Sequence, residues 1–103
     1  MKILKPGSRH RSAVCETQVM VIRAPTDAVD LRCGGVPMVD VNSDTPAGLA
    51  LDPSFAGGSL IGKRYIDAAD KLELLCTKGG RGSLSTGADM LDVKQAKALP
   101  SSD

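Results

Sequence analysis

The sequence predicts an all-β protein, a small antiparallel sheet or barrel built from short hairpins with signs of a degenerate two-fold repeat. Runs of three to eight residues rich in valine, leucine and isoleucine recur along the chain, separated by Gly, Pro and Asp. Such runs bounded by turn residues are typical of β-strands. No segment keeps apolar residues at a 3.6-residue period over three turns, which excludes a long amphipathic helix.

The first half of the chain contains three predicted strands. Residues 16–23 form the strongest one, with a high β-branched content that ends at Pro25. Val19 and Val21 alternate with Met20 and Ile22, so both faces of this strand are apolar and need cover. Residues 29–33 are expected to return beside it, and residues 36–41 to form the third strand.

A long loop is predicted at residues 42–59, where Pro, Gly, Ser, Asp and Ala dominate. Phe55 is the one aromatic residue there and could anchor the loop on the core. Strands are expected to resume at residues 63–67, 72–77, 83–85 and 90–93. Residues 94–99 are read as a helical turn or a last strand, and residues 100–103 as a frayed tail.

A short pattern occurs twice. Leu31 and Cys33 lead through two glycines to Met38 and an apolar strand, and Leu74 and Cys76 lead through two glycines to Met90 and another. A duplication would produce this pattern. Hairpins made of β-branched strands and glycine turns would also produce it by themselves.

Length and charge limit the function classes. At 103 residues with a net charge of +1, the chain is one domain, residues 13–99, without a field that favours nucleic acid or membrane. Residues 1–12 are basic but have no aromatic side chains to stack on bases. They are expected to be a flexible arm. Without a signal-like apolar segment, the expected compartment is the cytoplasm.

Three cysteines and one histidine are the candidate metal ligands. Cys15, Cys33, Cys76 and His10 have the chemistry of a tetrahedral zinc or ferrous site. Free cysteines are also common as small buried hydrophobes, and thiol or disulfide redox chemistry is a third reading. Cys15 and Cys33 are expected at the same edge, on either side of a hairpin.

Part of the chain resembles a known family. Cys15 precedes a valine-rich strand, and residues 33–38 read Cys-Gly-Gly-Val-Pro-Met. Residues 12–38 thereby resemble a degraded desulforedoxin-type domain of the rubredoxin-like class, whose motifs are Cys-x-x-Cys and Cys-Cys-Gly-x-Pro-Met. Ser12 and Gly34 stand where that family has two of its four cysteines. The resemblance implies a cysteine-ligated iron or zinc protein with an electron-transfer or structural role.

Two glycine turns have anion-binding features. Residues 57–64 nearly match a phosphate-binding loop, but Arg64 replaces the magnesium-binding Ser or Thr. Residues 76–83 place several backbone N–H groups near Lys78 and Arg81, which could form an anion nest. Both segments are also plain strand connections, which is the reading we favour.

Binding rather than catalysis is the function that these features favour. With its single histidine in the N-terminal arm, the chain offers no usual hydrolytic triad. We expect a small accessory protein, a homo-oligomer or the partner of an enzyme, without nucleic acid or membrane contacts. The residues expected to bind the partner are Val19, Met20, Val21, Ile22 and Phe55. The alternatives are the cysteine-ligated metal protein and, third, a thiol-dependent enzyme.

Overall fold

The computed structural model describes residues 2–46 and 48–94, and in this part of the chain it is all-β, as predicted. Within these residues, ten strands form two antiparallel sheets, of six and four strands, and neither closes into a barrel. A 3₁₀ turn, Pro53–Phe55, interrupts the long loop. The strands are β1 Arg9–Arg11, β2 Gln18–Arg23, β3 Leu31–Cys33, β4 Val36–Pro37, β5 Val39–Asp40, β6 Arg64–Ile66, β7 Glu73–Lys78, β8 Leu84–Thr86, β9 Asp89–Met90 and β10 Asp92–Val93.

Residues 4–11 belong to the fold, where the sequence predicted a flexible arm. Leu4 is part of the core, and β1 lies between β2 and β5 in the six-stranded sheet. His10 is only 6% exposed. The sequence pattern did not predict this strand, because only one of its three residues faces inward and the other two are the basic residues Arg9 and Arg11.

The two halves of the chain have the same architecture. The six-stranded sheet has the order β10-β6-β7-β2-β1-β5, and the four-stranded sheet the order β4-β3-β8-β9. Exchanging β1–β5 for β6–β10 leaves both orders unchanged. The chain is therefore a two-fold repeat whose pseudo-symmetry axis passes between β2 and β7 and between β3 and β8.

Equivalent hydrogen bonds set the register of the repeat. Gly7 N–H donates to Val21 O, as Gly62 N–H donates to Cys76 O, so equivalent residues here are 55 positions apart. In the hairpins the offset is 53. Met38 N–H donates to Leu31 O, and Leu91 N–H donates to Leu84 O.

This register differs from the one that the sequence pattern indicated. Cys76 is the counterpart of Val21 in the centre of the six-stranded sheet, and Cys33 is the counterpart of Thr86 at the end of β8. The glycines after Cys33 close a hairpin, whereas those after Cys76 carry the chain from one sheet to the other. The two cysteines therefore do not occupy equivalent positions.

The core lies where the two sheets meet. Val19 and Val21 of β2 face inward beside Leu74 and Cys76 of β7, and all four are at most 1% exposed. The segment predicted as one strand at residues 36–41 is two, β4 and β5, in different sheets. Met38 lies buried between them, as Leu91 lies between β9 and β10.

The long loop is held by one local cap and by contacts with distant parts of the chain. Asp52 caps the 3₁₀ turn through the Ser54 N–H, and Ser59 pairs with Gly80. The segments predicted at residues 94–99 and 100–103 lie outside the described residues, except Lys94. Among the residues described, no helix has the length and apolarity needed to cross a bilayer.

One buried carboxylate lies at the start of β7, a central strand of the six-stranded sheet. Glu73 is 3% exposed and lies 2.8 Å from Lys94 Nζ, 3.3 Å from Arg64 Nη1 and 3.6 Å from Arg23 Nη2. The hydrogen bond from Lys94, followed by the nearby positive charges and opposed by burial, lowers the pKa of Glu73. A buried carboxylate needs such partners to remain charged.

Candidate functional site

A tight turn between β1 and β2 positions Cys15. Ser12 N–H donates to Thr17 O, and Ser12 Oγ accepts from the backbone N–H groups of Val14 and Cys15, both at 3.1 Å. A serine side chain that binds the backbone two and three residues later is a common way to fix a turn. Ser12 and Thr17 are both buried, so their hydroxyls have little access to water.

Cys33 is positioned by the hairpin between β3 and β4. Gly34 and Gly35 have φ angles of +67° and +78°, which is the conformation of a two-residue hairpin turn that favours glycine. Gly34 N–H also donates to Ser83 O at 3.0 Å. The hairpin therefore holds Cys33 where the four-stranded sheet meets the other sheet.

The two sulfurs meet at the junction of the sheets. Cys15 Sγ lies 3.7 Å from Cys33 Sγ, and both thiols are free. The expectation that these two cysteines lie close is confirmed, although β3 pairs with β4 and β8 and not with β2. A disulfide requires about 2.05 Å between sulfurs, so the pair is a reduced dithiol in contact distance.

Two hydroxyls complete a small group that we call the thiol cluster: Ser12, Cys15, Thr17 and Cys33. Cys15 Sγ lies 3.3 Å from Thr17 Oγ1. The side chains of Ser12 and Thr17 both act to lower the pKa of each of the two thiols. The sequence reasoning noted Ser12 only as a replaced cysteine and missed Thr17, whose contact depends on the fold of the turn.

A glycine segment at residues 79–82 packs directly on the thiol cluster. A Cβ atom at Gly80 would lie 3.2 Å from Cys15 Sγ, and one at Gly82 would lie 2.9 Å from Cys33 Sγ. The missing side chains let the backbone approach the sulfurs, and the backbone of Gly82 acts to lower the pKa of Cys15. This close approach explains why glycines occupy both positions.

The two thiols ionise very differently. Burial alone would raise the pKa of Cys15, but hydrogen bonds from Ser12, Thr17 and Gly82 outweigh it and lower that pKa to about 7. Burial, followed by the charge of Cys15, raises the pKa of Cys33 to about 12. Cys15 is half-buried and Cys33 is 0% exposed. The cluster therefore presents one accessible, readily ionised sulfur beside one buried thiol that stays protonated.

Cys76 lies outside the thiol cluster. Its Sγ donates to Lys78 O at 3.2 Å, and burial raises its pKa. Cys76 is cross-strand from Val19 in β2, and its side chain is 1% exposed. In these surroundings it behaves as a small core residue.

His10 is also separate from the cysteines. It pairs with Val19, whose other neighbour is Cys76, so His10 and Cys76 are two strand spacings apart, roughly 10 Å. His10 Nε2 lies 3.1 Å from Ser8 Oγ, and burial lowers its pKa. Within residues 2–46 and 48–94, no three His, Cys, Asp or Glu residues are grouped so that they could hold a metal ion.

The residues expected to bind a partner differ in their solvent exposure. Val19 and Val21 are buried in the core, which leaves Met20 and Ile22, both half-buried, as the side chains of β2 that a partner could reach. Phe55 is half-buried and its carbonyl accepts from Ser83 N–H, so it anchors the loop. Self-association and binding to an enzyme stay predictions.

Comparisons with known proteins give no match: no protein-family model, no curated protein and no solved structure is similar to this chain at the significance required.

Proposed function

We propose that this protein exchanges thiols for disulfides, with Cys15 as the attacking thiol and Cys33 as the resolving thiol. The observation that carries the proposal is the 3.7 Å contact between the two sulfurs. A sulfur already in contact with a second thiol needs only a small approach to form a bond with it. The substrate would be a disulfide carried by a small molecule or by a partner protein.

The exposure of the two cysteines decides which of them attacks an external disulfide first. Cys15 is half-buried, whereas Cys33 is fully covered, so only Cys15 can meet an external disulfide. Thiolates, not thiols, attack disulfides. The hydrogen bonds from Thr17 and Gly82 stabilise the charged sulfur of Cys15 in the position from which it attacks.

The reaction has two steps. The Cys15 thiolate attacks one sulfur of the external disulfide, a mixed disulfide forms, and the first external thiolate leaves. Cys33 then loses its proton to that thiolate or to water and attacks Cys15 Sγ, which releases the second external thiolate. The protein loses two electrons and two protons as its dithiol becomes a disulfide, and the external disulfide is reduced to two thiols.

The test is oxidation of the reduced protein with hydroxyethyl disulfide, followed by mass spectrometry of the intact chain and of its peptides. We expect the mass to fall by two hydrogens and a Cys15–Cys33 peptide to appear. Cys33→Ser should stop at a mixed disulfide on Cys15, and Cys76→Ser should react like the parent protein. A chain that keeps both thiols reduced under conditions that oxidise a free dithiol would refute the proposal.

A second candidate, metal binding, is favoured by the same distance. Two thiolates at 2.3 Å from a tetrahedral ion are about 3.8 Å apart, close to the 3.7 Å found here. The four-thiolate iron site of the family that residues 12–38 resemble does not fit, because Ser12 and Gly34 supply no thiolate. The ion would need its remaining ligands from outside the described residues. Metal analysis with an absorption spectrum, on protein purified without chelator, tests this candidate.

A further inference from the structure

A cavity of about 590 Å³ opens between the β8–β9 hairpin and the turn that connects β6 to β7. It is lined by residues 67–69 of the turn and by Thr86 and residues 88–91 of the hairpin. Natural ligand sites have volumes of roughly 300–1,000 Å³, so this cavity is large enough to hold a ligand. The four residues of the thiol cluster do not line it, and the cavity is therefore a separate site.

The hairpin that lines the cavity has a counterpart in the first half of the chain. Gly34 N–H donates to Ser83 O, and Gly87 N–H donates to Asp30 O, so the two hairpins are related by the offset of 53 residues. Gly34 and Gly87 also share a positive φ, of +67° and +58°. The β3–β4 hairpin and the turn between β1 and β2 therefore enclose the equivalent space in the first half.

In the first half, a segment of the long loop fills this space. A Cβ at Gly34 would meet both Leu51 Cδ1 and Val14 Cγ2, so the leucine meets the hairpin and the turn at one point. The backbone continues the contact, because Asp52 N–H donates to Gly34 O at 2.9 Å. Asp52 has an extended backbone, with φ −75° and ψ 123°. One aliphatic side chain on an extended segment is therefore what covers the first half.

The corresponding surface of the second half is open. Residues 13–14 of the first turn are half-buried, whereas residues 68–69 of the second turn, both alanines, are exposed. In the hairpins, Gly35 is half-buried and its counterpart Ala88 is exposed. Met90, which also lines the cavity, is 50% exposed. The apolar surface that Leu51 covers in the first half thus faces solvent in the second.

The cavity combines this apolar surface with negative charge. Asp67 and Asp89 line it, and none of the lining side chains is basic. Asp67 Oδ1 accepts from the backbone N–H groups of Lys71 and Leu72 at 2.8 and 3.0 Å, which fixes that side chain in the turn. Asp89 is exposed. An aliphatic side chain with positive charge beside it is the complement of such a surface.

We propose that the cavity between residues 67–69 and the β8–β9 hairpin docks an extended segment of a partner protein, in which an aliphatic side chain of leucine size is flanked by basic residues. The aliphatic group takes the place that Leu51 has in the first half. The occupant is a protein segment because the segment at Leu51 binds through its backbone as well as through its side chain. This inference does not depend on the proposed exchange function.

The experiment titrates a peptide into the isotope-labelled full chain and follows the backbone amide signals by NMR. The probe is acetyl-Lys-Ala-Leu-Lys-Pro-Ser-amide, which takes Ala-Leu and Pro-Ser from residues 50–54 and adds two lysines. We expect signals of residues 67–72 and 86–91 to shift on binding. Replacing the leucine of the peptide by serine should weaken binding about tenfold or more. Replacing both lysines by glutamate should weaken it several-fold, and salt should reduce that difference.

Variants of the protein assign the binding to the cavity. Ala69→Leu fills the cavity from its wall and should weaken peptide binding about tenfold. Its matched control is Ala56→Leu, the same change at an exposed alanine that does not line the cavity. Asp89→Asn should weaken binding several-fold, while Asp44→Asn, at an exposed position of the long loop, should leave it unchanged. Unchanged amide signals in the rest of each variant show that it is folded.

Four results would overturn the proposal. The first two are amide shifts confined to other parts of the chain and equal affinities for the three peptides. The third is a change in the signals of residues 67–69 and 88–91 when the free protein is diluted, which would make a second copy of the chain the occupant. The fourth is a change in the same signals caused by Leu99→Ser in the free protein, which would make residues 95–103 the occupant. The exchange function is tested separately on Cys15 and stands or falls independently.

Discussion

Cys15 Sγ and Cys33 Sγ are 3.7 Å apart although the two residues are attached to strands of different sheets. Cys15 is in the turn that precedes a strand of the six-stranded sheet, and Cys33 ends a strand of the four-stranded sheet. A bond between them would join the two sheets covalently. The thiol cluster is therefore both a pair of thiols that can form a bond and a contact between the two sheets.

Oxidation of this pair should stabilise the protein. A disulfide across 18 residues of sequence restricts the unfolded chain by about 3 kcal/mol in the chain-entropy description. For a domain of this size we expect a rise in Tm of roughly 14 °C. Thermal unfolding of the reduced and oxidised forms, with Cys33→Ser under both conditions as the control, measures it. An oxidised form that melts lower than the reduced one would contradict the prediction.

Cys15 should be alkylated as a thiolate at neutral pH. Its pKa is lowered to about 7 by hydrogen bonds from Ser12, Thr17 and Gly82, which together outweigh burial. The rate with iodoacetamide should therefore rise with pH and level off above a midpoint near 7, below that of an ordinary thiol at about 8.5. Ser12→Ala removes one of these donors and should move the midpoint upward. Peptide mapping assigns the site, and a midpoint of an ordinary thiol in the parent protein would count against the cluster.

Gly82 should tolerate no larger side chain. A Cβ there would lie 2.9 Å from Cys33 Sγ and from the backbone N of Gly34, and the backbone cannot yield as a flexible side chain can. We expect Gly82→Ala to lower the free energy of unfolding by about 2 kcal/mol and to disturb alkylation of Cys15. Gly57→Ala is the matched control, because its Cβ would meet only the hydroxyl of Ser83. Equal denaturant midpoints for the two variants would show that residues 79–82 can shift to accommodate the added Cβ atom.

Glu73 should control stability in acid. Its pKa is lowered in the folded protein, first by the hydrogen bond from Lys94 and then by nearby positive charges against burial. The unfolded state therefore binds the proton more tightly. The stability that Glu73 contributes is complete above the ordinary glutamate pKa of about 4.3 and is lost as the pH falls through the lower folded value.

Substitution separates this effect from general acid unfolding. Glu73→Gln should cost about 1–2 kcal/mol at neutral pH, since the partner cations are half-exposed, and should flatten the acid limb of stability. Asp70→Asn breaks an ion pair that is about half-exposed on both sides and should cost less than about 1 kcal/mol. Denaturant unfolding between about pH 3 and 7 measures both variants. A parallel acid limb in Glu73→Gln and the parent protein would show that Glu73 is not responsible.

Local sequence patterns predicted the positions of the strands better than the pairing between strands. The apolar run from Val19 to Ile22 identified β2, but it did not identify the inward face, because both alternating sets of side chains are apolar. The same local pattern could not show that Met38 divides one apolar run between two sheets, because each side of the break is only two residues long. β1 has a single inward-facing residue, so no hydrophobic period could be recognised in its sequence.

The candidate site was predictable only in part. Cys15 and Cys33 were recognised from residue type, and their contact was expected from a hairpin that does not form. They meet because the two sheets pack together, which is a long-range relationship. Thr17 and the glycines at positions 80 and 82 became visible as parts of the site only once the chain was folded around the sulfurs. In the same fold, His10 lies in β1 and Cys76 lies in β7, outside the thiol cluster.

The pseudo-symmetry has a consequence for how the molecule unfolds. Both sheets cross the boundary between the halves, through β2 with β7 and through β3 with β8. Separating the halves would leave four unpaired strand edges and expose Val19, Val21 and Leu74 to water. Neither half can therefore melt while the other stays folded. Cleavage within residues 42–46 should leave two fragments that remain associated, because the strand pairs β2–β7 and β3–β8 join the halves.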